Sequence, residues 1–174
     1  MNKSYWRQAI NLLFYLALQV FIPPIVSLEG TCFMYIGFLL FLPWVRHNML
    51  GQLLLSFGIG MLVDLFYQGV GIHAFTAVLL LYCRNLLLYF FLAAQGKHAG
   101  VAIPTFTHLG VVKFMVYILL FTVLYHAVAV VLDYQAIQLV ILHPSKFLLG
   151  ILLGYFSILL PSLFAKVMLH IYAP

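Results

Sequence analysis

The sequence predicts an all-α integral membrane protein, a single domain with six transmembrane helices. Of its 174 residues, 66% are apolar and only 6% are charged, whereas a soluble domain carries about a quarter charged residues. Eight basic plus three acidic side chains, eleven in all, cannot cover a surface that faces water. The apolar runs are continuous rather than alternating, which favours helices over barrel strands. This composition excludes most soluble enzymes and nucleic-acid-binding domains.

Apolar runs and polar turns divide the chain into six segments of membrane-spanning character. A helix that crosses a bilayer takes about 20 residues, so this chain has room for roughly six spans joined by short loops. Pro23 and Pro24 are expected to break or sharply kink the chain after the first helix, and we expect the moderately apolar segment 133–144 to lie at the membrane interface. Within the single domain 1–174, the predicted helices are 8–22, 31–45, 49–67, 72–93, 110–132 and 145–170.

The distribution of charge predicts that both chain ends lie on the inner side of the membrane. With the N-terminus inside, all three acids fall on the outer side, where Lys146 is the only base. An excess of Lys and Arg on the cytoplasmic side is the usual determinant of orientation. The inner segments then hold Lys3, Arg7, Arg46, Lys97, Lys113 and Lys166. We expect this basic rim to face anionic lipid headgroups, with an acidic partner surface as the alternative.

Asp64, near the outer end of the third predicted helix, is the first candidate for a functional residue. An acid at membrane depth is costly and therefore marks a functional site by default. Two other interpretations stay open at this point. The carboxylate either reaches the outer water or caps the turn that follows.

Small residues make two of the predicted helices thin. In the third helix these are Ser56, Gly58 and Gly60. Small residues four apart, such as Ser56 and Gly60, share a helix face on which another helix can approach closely. The pattern fits packing within the bundle, and it also fits docking of a partner helix. The candidate interface positions are Ser56, Gly60, Gly150 and Gly154.

Arg84 lies well inside the fourth predicted helix, roughly 18 Å along the axis from the turn at Gly71 by the 1.5 Å rise per residue. We expect its side chain to extend along the helix to the inner headgroups, as long basic side chains do. The alternative is a buried polar contact, for example with Asn85 or Gln52.

Histidines and acids are predicted to gather near the outer ends of the third, fourth and fifth helices. His126 and Asp133 are seven residues apart and share a helix face, and His73 follows Asp64 closely in sequence. Two His and two Asp are suitable metal ligands, but no HxxxH or HExxH spacing is present. We therefore interpret these histidines as interfacial or hydrogen-bonded and predict no metal site.

The sequence predicts no enzymatic activity and no cofactor. It contains no GxSxG nucleophile motif, no Gly-rich phosphate loop with its Lys, and no run of paired carboxylates. Three acids, all on the predicted outer side, leave few groups for acid–base or metal-ion catalysis within the membrane. A small intramembrane enzyme is accordingly the least favoured class.

The stretch from Gly51 to Tyr82 resembles the rod shape-determining protein MreD family of bacteria. Phe57 to Leu65 ends in Gly-x-x-x-Asp-Leu, a brief turn follows, and Gly71-Ile72-His73-Ala74 opens the next helix. That family carries a G-x-x-x-D-L motif at the end of one helix and G-(apolar)-x-A at the start of the next. The matching positions are Gly60, Asp64, Leu65, Gly71 and Ala74. The similarity covers roughly 30 residues, and the other helices match only in hydropathy.

The resemblance implies a non-enzymatic scaffold of the elongasome, the complex that builds the side wall of rod-shaped bacteria. Such proteins are multi-pass proteins of the inner (cytoplasmic) membrane. They bind MreC and, through it, are linked to the MreB cytoskeleton, to RodA and to a penicillin-binding transpeptidase. The implied fold resembles the substrate-binding subunit of energy-coupling-factor transporters.

A solute-binding subunit of such a transporter is therefore the alternative function. It fits the size and the hydropathy equally well and predicts an outer-facing pocket lined by Asp64, His73 and His126. It also predicts small-residue strips on the first helix for docking a coupling subunit. That helix offers only Ala9 and Ala17, eight residues apart, which counts against it.

Overall fold

A computed structural model of the chain describes residues 3–25, 32–42, 48–67, 70–94 and 109–172. Within these ranges every regular element is a helix. In chain order they are α1 (Lys3–Ile25), α2 (Ile36–Leu40), α3 (Met49–Tyr67), α4 (Ile72–Ala94), α5 (Val111–Leu132), α6 (Tyr134–Leu142) and α7 (Pro144–Tyr172). The predicted all-α class is confirmed.

Four of these helices, α3, α4, α5 and α7, are long and apolar enough to cross a membrane. Each of them begins and ends within about two residues of the predicted bounds, and both ends of α3 agree with the prediction. Pro144 opens α7 at the first helical position, where proline costs nothing because that N–H has no intrahelical partner. In α1 the apolar stretch, Ile10–Pro23, is shorter.

The expected break at Pro23 and Pro24 does not occur, because α1 continues through both prolines to Ile25. Pro23 has no N–H to donate to the Gln19 carbonyl one turn earlier. The Tyr67 hydroxyl of α3 donates to that carbonyl instead, at 3.2 Å. Since the prolines lie in the last turn, a single replacement donor is enough to keep the helix continuous.

The second predicted helix, 31–45, is wrong for most of its described length. Residues 32–34 are not helical, and the helix comprises only Ile36–Leu40; positions 31 and 43–45 lie outside the described residues. The side chain of Gln19 explains the difference. Its Oε1 accepts the N–H groups of Met34 and Tyr35 at 2.6 and 3.3 Å, and its Nε2 donates to the Cys32 carbonyl at 3.0 Å. Irregular backbone is tolerated at membrane depth when protein groups satisfy it in this way.

The short helix α2 lies at the centre of the bundle. Its five residues are all buried, and it packs against α1, α4, α5 and α7. Gly37 permits the contact with α1, because a Cβ at this position would lie 2.6 Å from Tyr15 Cζ. Around this centre, α3 packs on α4, α4 on α5, and α5 on α7.

The outer faces of the long helices carry large apolar side chains. A surface of this kind suits lipid and would be costly in water. The predicted interfacial segment contains α6, whose Ile141 and Leu142 are also exposed; its position at the interface remains a prediction. The most exposed side chains of the long helices include Leu50, Leu54, Leu65, Phe66, Val112, Val131, Leu148 and Leu160.

Candidate functional site

Asp64 caps the first turn of α4 from the end of the preceding helix. Its carboxylate is buried, with the residue 3% exposed. Oδ1 accepts the His73 N–H at 3.1 Å, and Oδ2 accepts the Ala74 N–H at 2.9 Å. The first N–H groups of a helix have no intrahelical partners, and the positive end of the helix dipole favours a carboxylate there. Of the two interpretations left open, the capping role is the one that the geometry supports.

The other small motif residues bring α3 and α4 close enough for this cap. A Cβ on Gly60 would lie 2.6 Å from the His73 carbonyl oxygen and 2.7 Å from the Ala74 nitrogen. Gly71 has φ +82°, which a residue with a Cβ rarely adopts, and Ala74 is buried. Leu65 differs from them: it is 74% exposed, and no contact with the described residues explains it.

We expect Asp64→Asn to lower the free energy of unfolding by about 1–2 kcal/mol, because one buried N–H of α4 then faces an amide NH₂ instead of an acceptor. The measurement is denaturant-induced unfolding of the purified chain in detergent micelles. Asp64→Glu, which keeps the charge but lengthens the side chain, serves as the comparison. If Asp64→Asn unfolded at the wild-type midpoint, the one hydrogen bond that the amide cannot accept from the α4 backbone would contribute nothing to stability.

A buried cluster of aromatic rings and histidines adjoins this corner. His73 Nδ1 and the Tyr125 hydroxyl are 2.8 Å apart, and the Tyr125 hydroxyl is also hydrogen-bonded to that of Tyr35. The ring of Phe33 lies 4.8, 5.2 and 5.3 Å from the rings of His73, Tyr125 and His126. Residues of α4, α5 and the segment before α2 therefore meet here.

The structure brings together most of the predicted outer group. Asp64 contacts the backbone of His73, Asp133 caps the C-terminal end of α5, and His126 joins the same cluster through Phe33. His126 Nδ1 donates to the Thr122 carbonyl at 2.7 Å, which agrees with the hydrogen-bonded interpretation. Among the described residues, no three His, Cys, Asp or Glu side chains are grouped so that they could hold a metal ion.

Arg84 does not extend to the headgroups, and the expectation of an extended side chain is wrong. The residue is 0% exposed, and its guanidinium donates to the end of α2. Nε contacts the Leu40 carbonyl at 3.2 Å and Nη2 contacts the Leu42 carbonyl. The carbonyls at a helix C-terminus lack intrahelical partners and carry partial negative charge, which attracts the side chain inward.

The polar contact proposed as the alternative for Arg84 is present. Nη1 donates to Asn85 Oδ1 at 3.0 Å, and Asn85 Nδ2 donates to Gln52 Oε1 at 3.1 Å. Tyr117 of α5 joins them, because its hydroxyl accepts from Arg84 Nε and donates to the Leu40 carbonyl, both at 3.2 Å. We call Gln52, Arg84, Asn85 and Tyr117 the arginine cluster.

The four candidate interface positions are all used inside the chain. Ser56 and Gly150 are buried, and Gly60 packs against the backbone of α4. A Cβ on Gly154 would lie 3.6 Å from the Phe33 carbonyl and 3.7 Å from His126 Cε1. Gly58 faces outward, with nothing within 4 Å of its Cβ position. Of the two interpretations of the small residues, packing within the bundle is the one that this burial supports for these four.

Gln19 and the three tyrosines Tyr35, Tyr67 and Tyr125 hold the site together without having been predicted. A lone glutamine inside an apolar helix is a usable signal, because an amide in a membrane core is costly until it finds hydrogen-bond partners. The tyrosines give no such signal, since the chain has 11 of them and none stands apart by spacing.

Comparison with known proteins yields no match to this chain, whether among protein-family models, curated proteins or solved structures.

Proposed function

We propose that this protein is a non-enzymatic scaffold of the bacterial cell-wall elongation complex. In this proposal it resides in the inner membrane with both ends inside and binds MreC. Through MreC it links the MreB cytoskeleton to RodA and its transpeptidase. The proposal rests on the resemblance of residues 51–82 to the MreD family, and the geometry around its motif residues supports it.

The supporting observation is the interlocked corner between α3 and α4. Gly60 admits the backbone of α4, and Asp64 caps that helix with both carboxylate oxygens. Gly71 adopts the positive φ of the turn before α4, and Ala74 is buried where the two helices meet. Four of the five motif positions therefore belong to this one corner. A motif that builds a rigid corner, with polar atoms turned inward, is what a scaffold of helix faces and short loops requires.

The transporter alternative is less well supported. Its predicted ligands Asp64 and His73 already spend their side-chain atoms on the α4 backbone and on Tyr125, and His126 donates to Thr122. Solute sites need a few polar groups that converge on an open pocket, whereas these groups are hydrogen-bonded to the α4 backbone, to Tyr125 and to the Thr122 carbonyl. The arginine cluster is likewise directed at α2.

The test is affinity capture of the tagged full chain from native membranes in mild detergent, with co-purifying proteins identified by mass spectrometry. A tagged, unrelated multi-pass protein from the same membrane is the control. We expect recovery of an MreC-like partner and the wall-elongation enzymes above that control. Recovery of paired ATPases with a coupling subunit would instead identify a transporter component, and enrichment of neither set would contradict the scaffold role.

A further inference from the structure

Three side chains form a hydrogen-bonded chain from the start of α4 to the segment before α2. His73 Nδ1 contacts the Tyr125 hydroxyl at 2.8 Å, and Tyr125 contacts the Tyr35 hydroxyl. Tyr125 and Tyr35 are both 0% exposed, so bulk water does not reach the Tyr35 end of this row of hydrogen bonds. Among the residues that the structure describes, Tyr125 is the one hydrogen-bond partner of the Tyr35 hydroxyl.

The direction of these hydrogen bonds depends on the charge of His73. A neutral imidazole with its proton on Nε2 accepts at Nδ1. Tyr125 then donates to His73, Tyr35 donates to Tyr125, and every hydroxyl proton has an acceptor. A protonated imidazole must donate from Nδ1, which forces Tyr125 to donate to Tyr35. The Tyr35 hydroxyl proton then has no acceptor, and a buried donor without a partner is costly.

The surrounding charges act in opposite directions on His73. The imidazole lies in the first turn of α4, where the helix dipole disfavours a positive charge. The carboxylates of Asp64 and Asp133 favour one, but both oxygens of Asp64 are bonded to backbone N–H groups rather than to the ring. Among the described residues, the titratable groups that face His73 are Asp64 and Tyr67 of α3, Tyr125 of α5, and Asp133 directly after α5, with Tyr35 behind Tyr125.

We propose that His73 is a proton-sensitive latch that joins α4 to α5 and to the segment before α2 more strongly in its neutral form than in its protonated form. Gain of a proton reverses the hydrogen-bonded chain, strands the Tyr35 hydroxyl and loosens this junction. The inference goes beyond the scaffold role and does not depend on it.

The test compares thermal unfolding of the purified full chain in detergent micelles at pH 7.5 and pH 5.5. Stability is retained above about pH 6.5, where an unfolded histidine is neutral, and is lost as the pH falls through that value. We expect the wild-type Tm to fall by about 3–8 °C, as estimated from one orphaned buried donor. Tyr35→Phe lowers the Tm at pH 7.5, and its further fall at pH 5.5 should match that of the wild type, because the Tyr125 hydroxyl proton is then the one left without an acceptor.

His73→Gln removes the titrating group and should flatten the pH dependence, whereas His143→Gln, at an exposed histidine, should leave it unchanged. Because the wild type, Tyr35→Phe and His73→Gln share all the other histidines, the difference between His73→Gln and the other two reports on His73. An equal pH-dependent fall in His73→Gln and wild type would overturn the proposal. A nitrogen-15 spectrum of the wild-type histidines is an independent check: His73 with a proton on Nδ1 at pH 7.5 would overturn it too.

Discussion

Replacing Arg84 with alanine is expected to lower the free energy of unfolding by about 3–6 kcal/mol, more than most single substitutions. The Leu42 carbonyl and the Asn85 amide oxygen each lose the donor that satisfies them, and the missing side chain leaves a cavity. The Leu40 carbonyl keeps the Tyr117 hydroxyl as a donor. Urea-induced unfolding of the purified chain in detergent micelles measures the loss.

Two further variants separate the causes of this loss. Arg84→Met fills much of the volume without donors, so it should recover the part due to the cavity and leave the oxygens unsatisfied. Arg84→Lys keeps the charge, but a single ammonium cannot reproduce the planar fork that reaches several acceptors, and an intermediate midpoint is expected. If Arg84→Met were as stable as the wild type, the hydrogen bonds to α2 would not be what stabilises the fold.

Arg84 matters because α2 is held at both ends by side chains of other helices. Gln19 of α1 satisfies the backbone before it, and Arg84 of α4 satisfies the carbonyls at its end. Such a short helix gains little from its own hydrogen bonds, since nucleation alone is unfavourable. Its stability therefore comes from these two polar contacts and from burial among α1, α4, α5 and α7.

Hydropathy predicted the long helices well because a membrane span is a local property of the sequence. The four helices α3, α4, α5 and α7 follow continuous apolar runs, and their ends follow turn residues and proline. The same reasoning fails for 31–45, where the run is equally apolar but a glutamine 13 to 16 residues away takes the backbone hydrogen bonds. No window of hydropathy contains that information.

The contacts of the candidate site also fall into those between residues close in sequence, which could be predicted, and those between distant residues, which could not. The cap by Asp64 spans only nine and ten residues, so a short turn after an acid was enough to suggest it. The partners of Arg84 on α2 are 42 and 44 residues away, and the partner of Tyr35 is 90 residues away. Contacts at such separations depend on how the helices pack, and one sequence does not reveal that packing.

Gly60→Leu is expected to destabilise the fold by more than about 3 kcal/mol, beyond the usual range for an overpacked core. The first added atom already falls 2.6 Å from the His73 carbonyl oxygen and 2.7 Å from the Ala74 nitrogen. These are backbone atoms of a capped helix turn, which cannot move aside as a flexible side chain can. The helices must separate, and the hydrogen bonds from Asp64 to α4 lengthen with them. Unfolding in detergent micelles measures the effect.

Gly58→Leu is the matched control, two residues away on the same helix. Both changes replace glycine by leucine inside α3, so the gain in helix propensity, about 1 kcal/mol, is common to them. At Gly58 nothing lies within 4 Å of the added Cβ, and the new side chain joins the exposed apolar face of α3. We expect this variant to be at least as stable as the wild type. If the two variants had equal midpoints, close approach at Gly60 would not stabilise the fold, and the α3–α4 corner would depend on the cap by Asp64 alone.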